Sequence, residues 1–215
     1  MALTKTNRIL KRYFDLFCTV LILIVLSPLL LLVALTIKIT SPGEVFFRQP
    51  RLGLHGEIFL MYKFRSMVAN AVNMGAGMFV EQDDPRITPV GKLLRRTGID
   101  ELPQLFNVLR GEMSLVGPRP APLHHLDIYD ARQRKRLAAI PGITGWAQVR
   151  GRLALYWPER IELDLWYVEN YSLWLDVRIL AETILVVFSR RGGTAKEDRK
   201  EVDPFMQVES PKSKV

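Results

Sequence analysis

Cysteine is nearly absent from this sequence. Cys18 is the only one in 215 residues, which excludes an intrachain disulfide and agrees with a reducing compartment. Its place inside an apolar run makes it a core or lipid-facing residue rather than a nucleophile. Histidine is also sparse, and His55, His124 and His125 have no cysteine or carboxylate partners at metal-ligand spacing. There is no zinc-ligand pattern, Walker-type glycine loop, Ser-His-Asp set or internal repeat. Charge is missing from one long stretch, since Leu16 to Ile37 holds no Asp, Glu, Lys or Arg.

As a helix that stretch would be about 33 Å long, enough to cross a bilayer. It is too long, and too lacking in a small-residue cleavage site, for a removable signal peptide. Ser27-Pro28 falls at its middle. The proline deletes one backbone donor and crowds the preceding turn, so a bend is expected, and the Ser27 hydroxyl can help satisfy the freed carbonyl. Lys5, Arg8, Lys11 and Arg12 precede the run, and Lys38, Arg48 and Arg51 follow it, so neither flank is clearly the positive, cytoplasmic one. Two topologies fit: a kinked single span, or a re-entrant helix that bends and leaves by the face through which it came.

The formal net charge of +8 points to an anionic partner, with nucleic acid, anionic lipid and sugar nucleotides all qualifying. Val45 to Gln49 and Ile58 to Phe64 flank a turn with Gly53 and Gly56 and read as a β-hairpin. Residues 70 to 85 lack a period and read as a mobile loop, after which Thr88-Pro89 caps a helix to about Arg96. Leu123 to Ala139 has a helical pattern and carries Arg132, Arg134, Lys135 and Arg136. That run is a solvated face or, near an anionic leaflet, a membrane hold worth on the order of 1 kcal/mol per basic residue. A helix is expected over Glu159 to Asn170. The apolar segment Leu173 to Phe188, with Asp176, Arg178 and Glu182, reads as an interfacial helix or an ordinary core helix. Trp166, Tyr167, Tyr171 and Trp174 lie at its approach, as residues at a headgroup boundary do. Beyond Ser189 the composition predicts a disordered tail.

The chemistry concentrates in Arg95-Arg96-Thr97-Gly98-Ile99-Asp100-Glu101-Leu102-Pro103-Gln104, with Gly117-Pro118-Arg119-Pro120 close behind. Pro103 suits the first turn of a helix and Gly111 suits its end, so Leu102 to Arg110 reads as a short helix opening near Asp100. The positive end of a helix favours carboxylates and phosphates together. Adjacent helical side chains splay by about 100°, so Asp100 and Glu101 face different targets. One could attack a phosphorus atom while the other holds a divalent cation. The plainer alternative is an N-cap Asp beside a solvated Glu.

Five ordered blocks carry a family resemblance: the apolar run with Ser27-Pro28, Tyr62-Lys63-Phe64-Arg65-Ser66-Met67, the dyad with Leu102-Pro103-Gln104-Leu105-Phe106-Asn107, Gly117-Pro118-Arg119-Pro120, and Pro141-Gly142-Ile143-Thr144-Gly145-Trp146. Together they resemble the bacterial sugar transferases, the monotopic phosphoglycosyl transferases, in their minimal catalytic form, over roughly Arg8 to Arg190. The resemblance implies transfer of sugar-1-phosphate from a UDP-sugar to undecaprenyl phosphate, releasing UMP, through a covalent phosphosugar on Asp100 with ping-pong kinetics. By the same resemblance Glu101 would ligate Mg²⁺, and Lys63, Arg95 and Arg119 would bind phosphate. Arg152 is, on the same resemblance, a further phosphate-binding position, and Asp164 and Pro118 match other positions near the site. The topology it implies is re-entrant, broken at Ser27-Pro28, with the catalytic domain on the cytoplasmic face of the inner membrane.

The expected fold is thus α+β and mostly helical. Residues 1–40 form the membrane-inserted re-entrant helix and its basic flank, 41–190 the catalytic domain with its hairpin and interfacial amphipathic helices, and 191–215 a disordered tail. Membrane lipid is an expected partner and a second copy of the chain a further candidate. Nucleic acid is not expected, because the aromatics do not interleave with Lys and Arg as base-stacking platforms do. A membrane-tethered binding module without chemistry, and a phosphatase-like or nucleotidyl-transferring enzyme using the same Asp, are the rival readings. Turnover of a UDP-sugar excludes the first of these, and the identity of the leaving nucleotide decides the second.

Overall fold

The computed structural model describes residues 5–74, 84–151 and 155–188. Most of the loop read over 70–85, the tail after 190 and Arg152 lie outside the described residues. The described residues are mostly helical, with two small two-stranded sheets.

Helix α1 (Lys5–Thr40) runs continuously through Pro28. Ser27 Oγ donates to the carbonyl of Ile24 at 2.9 Å. That is the carbonyl the absent Pro28 N–H would have bonded, so the hydroxyl takes over the missing link and the helix need not end there. It is the one helix among the described residues long and apolar enough to cross a membrane.

One face of α1 is docked near both ends. Lys11 Nζ pairs with the buried Asp176 at 2.5 Å, Arg12 donates to the carbonyls of Val108 and Leu109, and Asp15 accepts from the N–H of Leu115. Toward the other end Val33 and Ile37 are buried against Phe64 and Leu94. Two of the four basic residues of the N-terminal flank are therefore structural cations. The opposite face, including Phe17, Val20, Leu21, Ile24, Val25 and Leu32, stays exposed.

Strands β1 (Phe46–Leu52) and β2 (Ile58–Phe64) form the expected antiparallel hairpin, with Phe47 opposite Lys63. The free edge of β2 is closed by a side chain. Asn107 accepts from the N–H of Tyr62 at 3.0 Å and donates to the carbonyl of Leu60 at 2.8 Å, so its carboxamide replaces a third strand.

Helix α2 (Pro89–Thr97) starts on the Thr88 cap, which accepts from Gly91 N. Gly91 lets this helix close on the segment after β2, since a Cβ there would lie 1.9 Å from the Ser66 carbonyl oxygen. Gly98, at φ 74°, ends α2, and a 3-10 turn (Ile99–Glu101) leads to α3 (Gln104–Arg110), which Gly111 terminates. The helix expected from Leu102 thus begins at Gln104, and the dyad lies on the tighter turn before it.

Two three-residue strands, β3 (Ser114–Val116) and β4 (Gly142–Thr144), pair in parallel and are too short to be legible in the sequence. They need glycine because the backbones nearly touch. A Cβ on Gly117 would sit 2.3 Å from the Ile140 carbonyl oxygen, and one on Gly142 would sit 2.1 Å from Gly117 N.

The helix expected over Leu123–Ala139 is not continuous. It divides into α4 (His125–Ile128) and a 3-10 turn (Gln133–Ala138). Tyr129 turns extended, and the Asp130 carboxylate accepts from the N–H of Gln133 at 2.7 Å, a local bond that competes with helix continuation. The basic run also splits: Arg132 pairs with Glu162 on the surface, Arg134 donates to the carbonyls of Leu126 and Tyr129, and Arg136 is buried. A uniform solvated face is therefore corrected for Arg136.

After α5 (Trp146–Arg150) come α6 (Trp157–Glu169) and α7 (Leu173–Phe188), both close to their expected bounds. On α7, Leu175, Asp176 and Ile179 face inward while Trp174, Ile184 and Leu185 are exposed. Of the aromatics expected at a headgroup boundary, Trp166 and Trp174 are exposed. Tyr167 instead belongs to the core, where its hydroxyl donates to Asp176 at 2.7 Å.

Candidate active site

Lys63 near the end of β2, Arg95 on α2, the Asp100-Glu101 turn and Arg119 in the turn after β3 are brought together. Glu101 is the hub. Its Oε1 accepts from Lys63 Nζ and from Arg119 Nη2, each at 2.8 Å. Among the described residues Oε2 has only a long contact with Arg119 Nη1 at 3.5 Å. Burial alone would raise the Glu101 carboxyl, but the charges of Arg119 and Lys63, with their hydrogen bonds, hold it well below the usual carboxylate range. Glu101 is an anion at any working pH.

Asp100 contrasts with its neighbour. It is 9% exposed, and its carboxylate accepts no hydrogen bond among the described residues. Burial and then the Glu101 charge push its pKa up, against the pull of Lys63, Arg95 and Arg119. A desolvated carboxylate without donors keeps its lone pairs available, as a nucleophile requires. The divergence comes from the tight turn, which sends adjacent side chains in different directions.

Among the described residues Arg95 is held by one end. Its Nε donates to Ser66 Oγ at 2.7 Å, which leaves the outer guanidinium nitrogens for another acceptor. Burial lowers its pKa and the Asp100 charge partly restores it, yet a guanidinium stays protonated. For Arg119 the Glu101 charge is the leading influence and raises the pKa.

The backbone carrying Arg119 is pinned from both sides. Gly117 N donates to the Thr144 carbonyl, and Gly142 N donates to the Pro118 carbonyl, each at 2.9 Å. The Gly117-Pro118-Arg119-Pro120 and Pro141-Gly142-Ile143-Thr144-Gly145-Trp146 motifs are therefore one structural unit. Pro118 is buried and serves through its carbonyl. Asp164 lies behind Arg119, where its carboxylate is bonded to Arg136.

Sequence reasoning missed Ser66 and Arg136 as supports. Ser66 lies inside a quoted motif, and only the packing of α2 brings Arg95 to it; Arg136 was hidden in a basic run. The field expected from a helix end is replaced by three side-chain cations, since α3 is short and opens after the dyad.

The family profile described as bacterial sugar transferase matches residues 6–190. The chain belongs to the bacterial sugar transferase family. This sugar transferase is 44% identical over 184 residues to the uncharacterized sugar transferase EpsL of Bacillus subtilis, covering 86% of this chain and 90% of that one. It is 48% identical over 204 residues to the undecaprenyl-phosphate glucose phosphotransferase of Komagataeibacter xylinus, covering 87% of this chain and 38% of that one. With the undecaprenyl-phosphate galactose phosphotransferase of Salmonella typhimurium the identity is 43% over 203 residues, covering 87% and 42%. The sugar transferase thus spans most of the first relative and about two fifths of the other two.

Proposed function

We propose that this chain transfers sugar-1-phosphate from a UDP-sugar to undecaprenyl phosphate. The observation that carries the reading is the divided dyad: Asp100 buried with no hydrogen-bond donor among the described residues, beside a Glu101 clamped by Lys63 and Arg119. Relatives named for phosphotransfer to undecaprenyl phosphate support the substrate pair.

In the first step an Asp100 carboxylate oxygen bonds to the β-phosphorus of the UDP-sugar. The bond from that phosphorus to the bridging oxygen breaks, and UMP leaves with the electron pair. In the second step a phosphate oxygen of undecaprenyl phosphate bonds to the same phosphorus and the Asp100 carboxylate is released. The product is a lipid diphosphate sugar. The Arg95 and Arg119 guanidinium groups and the Lys63 ammonium group would lie along the diphosphate, where they offset the repulsion between an anionic nucleophile and an anionic substrate.

Mg²⁺ belongs to the same proposal. Among the described residues no three His, Cys, Asp or Glu side chains form a closed metal cage. Mg²⁺ does not need one, because it is commonly held by one or two carboxylates with substrate phosphates and water. The donor set fits: Glu101 is ionised, and among the described residues its Oε2 has no contact closer than the one with Arg119 Nη1 at 3.5 Å. When bound there, the ion would supply charge neutralisation on the diphosphate.

The membrane reading is re-entrant. From Arg12 to Ile37 a straight helix would extend about 38 Å, more than the hydrocarbon thickness of about 30 Å. Both residues nonetheless pack on the one domain that carries Lys63, Asp100, Glu101 and Arg119. Sinking that charged domain into hydrocarbon would be costly, so both ends of α1 belong on its side, with the exposed apolar face toward lipid. The exposed Trp174, Ile184 and Leu185 of α7 would lie at the same interface.

Incubation with a panel of UDP-sugars, Mg²⁺ and undecaprenyl phosphate is expected to release UMP continuously. Omission of the lipid phosphate is expected to leave a burst near one UMP per enzyme. Release of no UMP from any of the sugars would sink the reading. In a Cys18→Ser background, cysteines introduced for Arg8 and for Glu44 are both expected to resist impermeant reagents from outside the cell. Labelling of only one of them would show a crossing helix, and Pro28→Ala is expected to shift the pattern that way.

A further inference from the structure

We propose that Arg136, anchored by Asp164, is a positioning residue that fixes Arg119 for the reaction at the Asp100-Glu101 dyad. This deepens the reading above and rests on it.

Arg136 and Asp164 are each 2% exposed, and they form a buried ion pair. The Arg136 nitrogen that meets Asp164, Nη2, also donates to the backbone carbonyl of Arg119 at 3.0 Å. The other terminal nitrogen donates to the Tyr129 hydroxyl. The guanidinium also lies over the Tyr129 and Trp157 rings, with centroids 5.6 and 6.0 Å away. Together with the bonds on Gly117 N and the Pro118 carbonyl, three consecutive residues leading to the Arg119 side chain have a fixed backbone group. Pro118 and Pro120 restrict the turn further. What remains adjustable is the Arg119 side chain, whose far end bonds Glu101 at 2.8 Å.

An ion pair so deeply buried is a poor means of stabilising a fold. Desolvation offsets most of the attraction, and apolar pairs of similar volume commonly serve as well or better. Such a replacement would lack a donor aimed at the Arg119 carbonyl. That carbonyl would otherwise be a part-buried acceptor free to turn, and the guanidinium at the far end would move with it. A displacement of about 1 Å at a positioning group can cost on the order of 10²-fold in rate.

The test uses the full chain in detergent, with UMP release and thermal melting measured on the same samples. Two variants are compared with the parent: Asp164→Asn, and the paired change Arg136→Met with Asp164→Leu. Both sets are repeated in an Arg119→Ala background. The paired variant is expected to melt at or above the parent temperature while losing roughly 10²-fold in kcat/KM. In the Arg119→Ala background the same change is expected to cost less than about twofold, since there is no longer a guanidinium to misplace. Asp164→Asn is expected to follow the same pattern if it folds, and the paired variant carries the test if it does not. A folded variant with parental kcat/KM overturns the proposal, as does an equal loss in both backgrounds. Failure of both variants to fold also overturns it, because the pair would then be a stability element. UDP affinity, read by calorimetry, is expected to fall in parallel with kcat/KM. If the parent binds UDP but releases no UMP, the transfer reading has failed, while loss of UDP affinity in the variants still reports on positioning.

Discussion

Asp100→Asn is expected to lower UMP release by on the order of 10⁶-fold, the scale seen when a covalent nucleophile is removed, and to raise the melting temperature. The first effect follows because an amide oxygen cannot displace UMP from phosphorus at a useful rate. The second follows from the environment of the side chain. Burial and the Glu101 charge raise the folded-state pKa of Asp100 above its ordinary value. The folded protein therefore binds that proton more tightly than the unfolded chain, and stability is lost as pH rises through the folded pKa. Asparagine carries no charge and escapes that loss at neutral pH. The same shift places the acid limb of kcat/KM above the ordinary aspartate range of about 4. Intact-mass measurement of enzyme quenched with UDP-sugar alone is expected to show a phosphosugar adduct on the parent and none on the variant. Near-normal turnover by Asp100→Asn would refute the covalent route.

Glu101→Gln is expected to cost roughly 10² to 10³-fold in kcat, comparable with the removal of one preorganised electrostatic partner, and to lower the melting temperature. Glu101 is the acceptor that aligns Lys63 and Arg119. A neutral amide accepts more weakly and offers an N–H where a cation's donor stands. The linkage here has the opposite sign to that of Asp100. The folded-state pKa of Glu101 is depressed, so its contribution is present above the unfolded value of about 4.3 and is lost as pH falls through the folded one. The melting difference between parent and variant should therefore be full at pH 7 and shrink in acid. Equal melting temperatures across that range, with parental turnover, would show that Glu101 is a bystander.

Opposite signs of stability change in adjacent residues are a sharper signature of a divided dyad than loss of activity alone. A plain N-cap Asp beside a solvated Glu would give destabilisation at the first position and little at the second.

Much of this molecule follows from local order in the chain. The uncharged run from Leu16 to Ile37, the Thr88 cap, the glycines after α2 and α3 and the apolar segment over α7 each act within a few residues. Short-range rules therefore locate these elements, and the same rules place two carboxylates on one tight turn. Tertiary structure alone decided which charges are paired and which are left open. Lys11 meets Asp176 across 165 residues of sequence, Arg136 turns inward from a run of cations that reads as solvated, and Lys63, Arg95 and Arg119 converge from three separate elements. The physical reason is that a charged side chain prefers water and is buried only where the packed chain supplies a partner. Its role is fixed by whichever opposite charge or carbonyl the packed chain brings within about 3 Å, and sequence spacing does not contain that distance.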